Sequence, residues 1–293
     1  EGKRARGRTG AQQADLDGRM GTAGALTLVA GILNNAATIG ANAVAMQASV
    51  ISNEGSITAD DSLQIEADTL HQNGQLAAKN QMTLKGGKLA NQGSITAGNL
   101  TVNATDTLTN QQAGVITATD GASVTAGSVL NDGALAARTA VINADTMTNN
   151  GLLQGSHDLQ LVAGSLTNGD EGRVLSGGVL DLHLDELHNQ GRLQGGTLAV
   201  AGNNLINSGT VLGSNGLSLS LQDAVNNSGS LLTQGSATLD AATFENSGQL
   251  LSGKDATIAV SHLSNQGQIQ GDTLMLTAGD ADNSGNLIGL KAL

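Results

Sequence analysis

A short phrase, apolar-x-Asn-x-Gly-x-apolar, returns at a nearly constant interval along this chain. It reads LHNQGRL at 187–193 and LSNQGQI at 263–269, with variants such as LINSGTV (205–211), VNNSGSL (225–231) and FENSGQL (244–250) between them. A fixed internal period leaves a chain few folds, because each repeat must be one structural unit that packs on its own copies. The amide position marks the period. It falls at Asn35, Asn53, Gln72, Asn91, Asn110, Asn131, Asn149, Asn168, Asn189, Asn207, Asn227, Asn246, Asn265 and Asn283. Successive marks lie 18–21 residues apart, and the thirteen steps from Asn35 to Asn283 span 248 residues, so the unit is about 19 residues long.

Within each unit apolar residues alternate with others. Leu180, Leu182 and Leu184 precede Leu187, Asn189, Gly191 and Leu193; Leu63, Ile65 and Ala67 precede Leu70, Gln72, Gly74 and Leu76; Ile258 and Val260 precede Leu263, Asn265, Gly267 and Ile269. Period two is the strand signal, and its return every few residues leaves no room for a helix of ordinary length. The two longest steps carry their extra residues between the amide and the glycine, in LTNQQAGVI (108–116) and LTNGDEGRV (166–174). Insertions confined to a corner, with the strand grid resuming after it, are what a coiled solenoid tolerates.

Nineteen residues of short strands cannot bury their own apolar face, whereas stacked copies can. The expected fold is therefore all-β, a right-handed parallel β-helix of about 14 coils with about 19 residues per coil. A left-handed β-helix needs strict hexads, and a leucine-rich repeat needs a long convex segment in every unit; this sequence has neither. The amide lies on the inward side of the grid. A polar side chain there is costly unless hydrogen-bonded, and stacked amides can bond to one another as ladders. Gln72 keeps the amide in its rung. The glycine two residues on provides either a positive φ or a tight approach at the corner.

Composition narrows the function. There is no Trp, Tyr, Pro or Cys and a single Phe, Phe244. A net charge of −12 and the lack of base-stacking aromatics count against nucleic acid as the main partner. No apolar run approaches the roughly 20 residues of a membrane-spanning helix. Residues 1–20 carry five basic and three acidic residues, so the remainder carries −14. They read as a basic, flexible N-terminal segment, and residues 21–293 as the β-helical repeat domain, open at its C-terminal end. The start, EGKRARGRTG, lacks the apolar stretch of a secretory signal, so the chain reads as a middle piece of a longer one.

The LxNxGxL…LxLxA units over about residues 25–290 resemble the filamentous haemagglutinin repeats of bacterial two-partner secretion exoproteins, which include adhesins and contact-dependent growth-inhibition toxins. The resemblance implies a right-handed β-helical rod, secreted to the cell surface of a Gram-negative bacterium through an outer-membrane β-barrel transporter. It further implies a structural and adhesive role, presenting or spacing binding or toxin domains, with a host or bacterial cell-surface receptor as partner. An exported chain that avoids disulfides also fits the missing Cys. A single-chain autotransporter passenger would differ only in its route.

β-Helices also host carbohydrate-active enzymes, polysaccharide lyases and hydrolases among them, which is the alternative function. Such chemistry would sit on the outward positions. Asp181, His183 and Asp185 alternate with Leu180, Leu182 and Leu184 and so line one outer face, but neighbours two apart stand about 6.5–7 Å apart, awkward for joint chelation. NGDEG (168–172) lacks the ligand spacing of a calcium loop. GQLLSGKD (248–255) imitates a phosphate loop but places Asp255 where Ser or Thr is needed. KGGK (85–88) is a small basic spot, and the five His (71, 157, 183, 188 and 262) are dispersed. The expectation is no catalytic residue, no metal site and no cofactor.

Overall fold

A computed structural model describes residues 11–292, and these form twenty strands, β1 to β20. The chain divides into two compact units, residues 1–144 and 145–293. No helix occurs among the described residues.

In the first unit the strands are β1 (Ala11–Leu16), β2 (Arg19–Gly21), β3 (Ala25–Asn35), β4 (Thr38–Asn53), β5 (Ser56–Gln72), β6 (Gln75–Asn91), β7 (Ser94–Asn110) and β8 (Val115–Asn131). Strand β9 (Ala134–Asn149) spans the boundary in sequence. Each of β3 to β7 pairs in parallel with the next, one repeat on. Side chains of equal phase therefore stand in columns. Ile39 aligns with Ile57, Leu76, Ile95 and Ile116 in turn, and none of these is more than 1% exposed.

The pairing starts earlier than the amide marks. Strand β1 aligns Leu16 with Asn35, and β2 aligns Arg19 with Thr38. Residues 11–20, grouped by sequence with the basic segment, thus carry strands of a further turn, one more than the fourteen marked by amides. Lys3, Arg4, Arg6 and Arg8 lie outside the described residues.

In the second unit the order is β10 (Leu152–Asn168), β11 (Arg173–Ser176), β12 (Val179–Asn189), β13 (Arg192–Asn207), β14 (Thr210–Asn227), β15 (Ser230–Thr233), β16 (Ser236–Asn246), β17 (Gln249–Ser252), β18 (Ala256–Asn265), β19 (Gln268–Asn283) and β20 (Asn286–Ala292). All pair in parallel at one-repeat offsets. Leu187, Leu205, Val225, Phe244 and Leu263 form one buried column, in which the single Phe of the chain takes an aliphatic place. A parallel β-solenoid thus follows from the alternation: Leu180, Leu182, Leu184 and Leu187 are at most 3% exposed, while His183 and Asp185 between them face out.

The two long repeats behave as the insertions suggest. Gly114 N–H donates to Gln111 O at 2.7 Å and Gly172 N–H to Gly169 O at 2.9 Å, closing a tight turn at the corner. Strand register resumes at once, with Ser94 opposite Val115 and Leu152 opposite Arg173.

Of the two reasons given for the corner glycine, close approach applies at Gly55, Gly74 and Gly93 and their later equivalents, while Gly18 in the first turn has a φ of +81° and open space at its Cβ position. Among the described residues positive φ occurs at Gly18 and Gly202, and not at the repeat glycines beyond residue 50. A Cβ built on Gly74 would lie 2.0 Å from Gly55 O, one turn before it. The backbone passes too tightly over its predecessor for any side chain there, because Gln75 N–H must reach Gly55 O at 2.9 Å.

Candidate functional site: the interior amides and the outer faces

Each repeat turns its amide side chain inward at the end of a strand. Thirteen of the fourteen marked residues are 0–2% exposed, while Asn283 faces solvent. In the first unit Asn35 Nδ2 donates to Asn53 Oδ1 at 2.7 Å, and Asn53 Nδ2 to Gln72 Oε1 at 2.7 Å. A second run links Asn91 to Asn110 at 2.8 Å and Asn110 to Asn131 at 2.8 Å. In the second unit the bonds run from Asn149 to Asn168, Asn189, Asn207, Asn227, Asn246, Asn265 and Asn283, each 2.7–2.8 Å. The earlier residue donates every time, so all amides of a run point the same way and polarise one another.

The remaining N–H is used as well. Asn189 Nδ2 also reaches Gly191 O and Thr210 O, each at 3.3 Å, tying the side chain to its own corner and to the next. The backbone carbonyl of an amide residue accepts from the following corner, as where Ser208 and Gly209 N–H both donate to Asn189 O, at 2.9 and 3.1 Å. Most of these buried amide groups are thereby satisfied, as an apolar interior demands, and Asn91 Oδ1 is the exception among the described residues.

A second buried polar position escaped the sequence reading. Two residues after the apolar residue that follows each corner stands a small side chain: Ala59, Ala78, Ala97 and Ala118 in the first unit, and Ser176, Thr233 and Ser252 among the second unit's turns. Ser252 Oγ donates toward Gly235 O (2.8 Å) and Asp255 O (2.9 Å), and Ser176 Oγ toward Val179 O (2.6 Å) and His157 O (3.1 Å). The recurring small residue at fixed phase was the available signal.

The outward candidates do not converge. His183 Nε2 pairs with Asp181 at 3.1 Å, and Gln160 donates to the same carboxylate at 3.3 Å; Asp185 is instead 3.5 Å from Asn203. His157 pairs with Asp158, His188 with Glu186 and His262 with Asp280, in three separate places. His71 is exposed on another turn. Asp170 Oδ1 accepts Glu171 N–H at 3.0 Å within its own corner. In 248–255 the backbone donors are spent on neighbouring turns: Gly248 on Asn227 O, Gln249 on Gly229 O, Gly253 on Thr233 O and Lys254 on Gly235 O. None of these four is left to cradle a phosphate. Lys85 of KGGK pairs with Glu66 at 3.1 Å, beside an open groove of about 850 Å³ floored by Ala48, Ala67 and Gly86. Among the described residues no group of three or more His, Asp or Glu side chains is placed to hold a metal ion. Hydrogen bonds from Gln13 and then Asn34 hold the Asp15 carboxyl below its ordinary pKa, and Asp272 raises that of Lys291. Both are surface pairs between exposed or partly exposed groups. No described helix is long and apolar enough to cross a membrane.

Comparison with known proteins places this geometry. The haemagglutinin repeat family matches residues 9–111, 95–145, 135–194, 186–244 and 232–291. The chain is 42% identical over 188 residues to the 16S rRNA endonuclease CdiA of Enterobacter cloacae subsp. cloacae, a match covering 64% of this chain and 6% of that protein. It is 32% identical over 197 residues to Toxin CdiA of Escherichia coli, covering 67% and 6% respectively. A similar match, 33% over 197 residues, covers 66% of this chain and 5% of the deoxyribonuclease CdiA of Dickeya dadantii. The chain thus spans a small fraction of the curated relatives it matches. None of the solved structures compared with it matches. With the repeat family matched along nearly the whole sequence and every described turn built on its period, the chain belongs to the haemagglutinin repeat family of two-partner secretion exoproteins.

Proposed function

We propose that this chain is a structural repeat segment of a secreted, surface-displayed Gram-negative exoprotein, exported through an outer-membrane β-barrel transporter, that spaces or presents binding or toxin domains. The observation that carries the reading is the one-repeat register itself: within each unit a turn rests on its neighbour through backbone ladders, reinforced at most steps by an interior amide bond, so each added turn extends the stack by one repeat. The family match and the CdiA relatives support membership of such an exoprotein. An adhesive contribution, through a host or bacterial cell-surface receptor, would use the polar outer faces. The one-to-one pairing of exposed carboxylates and imidazoles gives no support to a carbohydrate-active enzyme.

The test uses the full exoprotein in a Gram-negative host. Antibody against residues 190–267 should label intact cells when the transporter partner is present and not when it is deleted; absence of label in both would overturn the export reading. Deleting residues 190–207, which joins Asn189 to Ser208 in phase, should preserve display and recipient-cell contact. Complete loss of contact with display intact would point to a discrete site instead of a spacer.

A further inference from the structure

The amide run of the first unit is interrupted once. Gln72 accepts from Asn53 as an Asn would, at 2.7 Å. Its own amide nitrogen behaves differently. The extra methylene carries Nε2 to 2.8 Å from Gly74 O in its own corner and 3.3 Å from Ser94 O in the next corner, both backbone carbonyls. An amide NH2 has two hydrogens, and both are consumed there. Asn91 Oδ1, in the next turn, is left buried without a donor, and Asn91 itself is 0% exposed. Asn110, in the same setting but one methylene shorter, reaches Asn131 Oδ1 at 2.8 Å while still touching Gly114 O and Ala134 O.

We propose that the step between Gln72 and Asn91 is a built-in point of local opening, which divides the first unit's amide ladder into two separately cooperative runs, Asn35–Asn53–Gln72 and Asn91–Asn110–Asn131. A stack whose units touch only their neighbours opens where one interface is weakest. Backbone bonds still cross this step: Gln92 and Gly93 N–H donate to Gln72 O at 2.8 and 3.1 Å, and Ser94 N–H to Gly74 O at 2.9 Å. The turns therefore stay stacked at rest, and the missing amide–amide bond to Asn91 sets how often they part.

Native-state hydrogen exchange on the intact chain reads this directly. The reporters are the amides of residues 92–94, which cross the step, against those of residues 73–75, which cross the preceding one to Asn53 O and Gly55 O. One orphaned buried acceptor corresponds to about tenfold faster exchange at 92–94 than at 73–75. Gln72→Asn restores the donor to Asn91 and should slow 92–94 by about the same factor. Asn110→Gln adds a second defect two steps on, between Asn110 and Asn131, and should speed the amides of residues 132–134, which bond Asn110 O and Gly114 O. Equal exchange at the two steps in the parent chain, or no slowing with Gln72→Asn alongside no acceleration with Asn110→Gln, would overturn the proposal.

Discussion

Asn207 accepts from Asn189 Nδ2 at 2.7 Å and donates to Asn227 Oδ1 at 2.8 Å, and all three side chains are at most 2% exposed. One residue thus completes the hydrogen bonding of two others that lie in different turns. Asn207→Ala removes an acceptor and a donor together and leaves Asn227 Oδ1 without its ladder partner. The expected cost is about 1–3 kcal/mol for each buried group left without a partner. Chemical denaturation followed by circular dichroism should show a clearly lowered midpoint. Ser208→Ala, next in sequence but exposed, should stay within about 0.5 kcal/mol of the parent.

The corner glycines are predicted to be intolerant for reasons of space. A Cβ on Gly248 would sit 2.1 Å from Gly229 O, whereas one on Gly216 meets nothing nearer than Ser236 O at 3.8 Å. Gly248→Ala should destabilise by roughly 1–3 kcal/mol or more, as overpacking does. Gly216→Ala should be neutral or stabilise by about 0.4–1 kcal/mol through the unfolded chain. Paired denaturation curves of the two variants separate steric need from mere glycine preference.

Phe244 offers a test of how the column is filled. It aligns with Val225 on one side and Leu263 on the other and is fully buried. Phe244→Ala should cost about 3–5 kcal/mol. Phe244→Leu makes the column uniformly aliphatic and should cost less than about 1.5 kcal/mol. Thermal melts of both variants check the ratio; equal losses would mean that the ring has a specific partner the column does not reveal.

Facing and period were legible from the sequence because both are carried by residue identity. The alternation of Leu180, Leu182 and Leu184 with Asp181, His183 and Asp185 states which side is buried, and the amide marks state where each turn ends. The turn before Asn35 was hidden because Leu16 occupies the amide position, although Gly18 and Met20 keep the rest of the phrase. The choice between φ and contact at the glycines depends on the distance between successive backbones, which letters do not encode. The consequence of Gln72 is subtler still. Asn and Gln read as one class by chemistry, yet one methylene decides whether Nε2 meets a side chain or a carbonyl. The outer faces were read correctly in position, while their one-to-one pairings across turns, such as Asn80 with Asp61 at 2.8 Å, needed the register.

The register can be measured most directly by cross-linking a chain that has no cysteine of its own. Ser218 and Thr238 are exposed, aligned one turn apart, and their hydroxyl oxygens are 3.2 Å from each other. Parallel neighbours at about 4.8 Å lie within disulfide reach, while a partner two residues further along the strand lies about 8 Å away and does not. Oxidation of the Ser218→Cys, Thr238→Cys double variant should give a near-quantitative intramolecular disulfide, detected as a loss of free thiol in the monomer, and the Ser218→Cys, Asp240→Cys variant should remain reduced. A disulfide in the second variant and none in the first would contradict the stacking of equivalent residues on which the whole account rests.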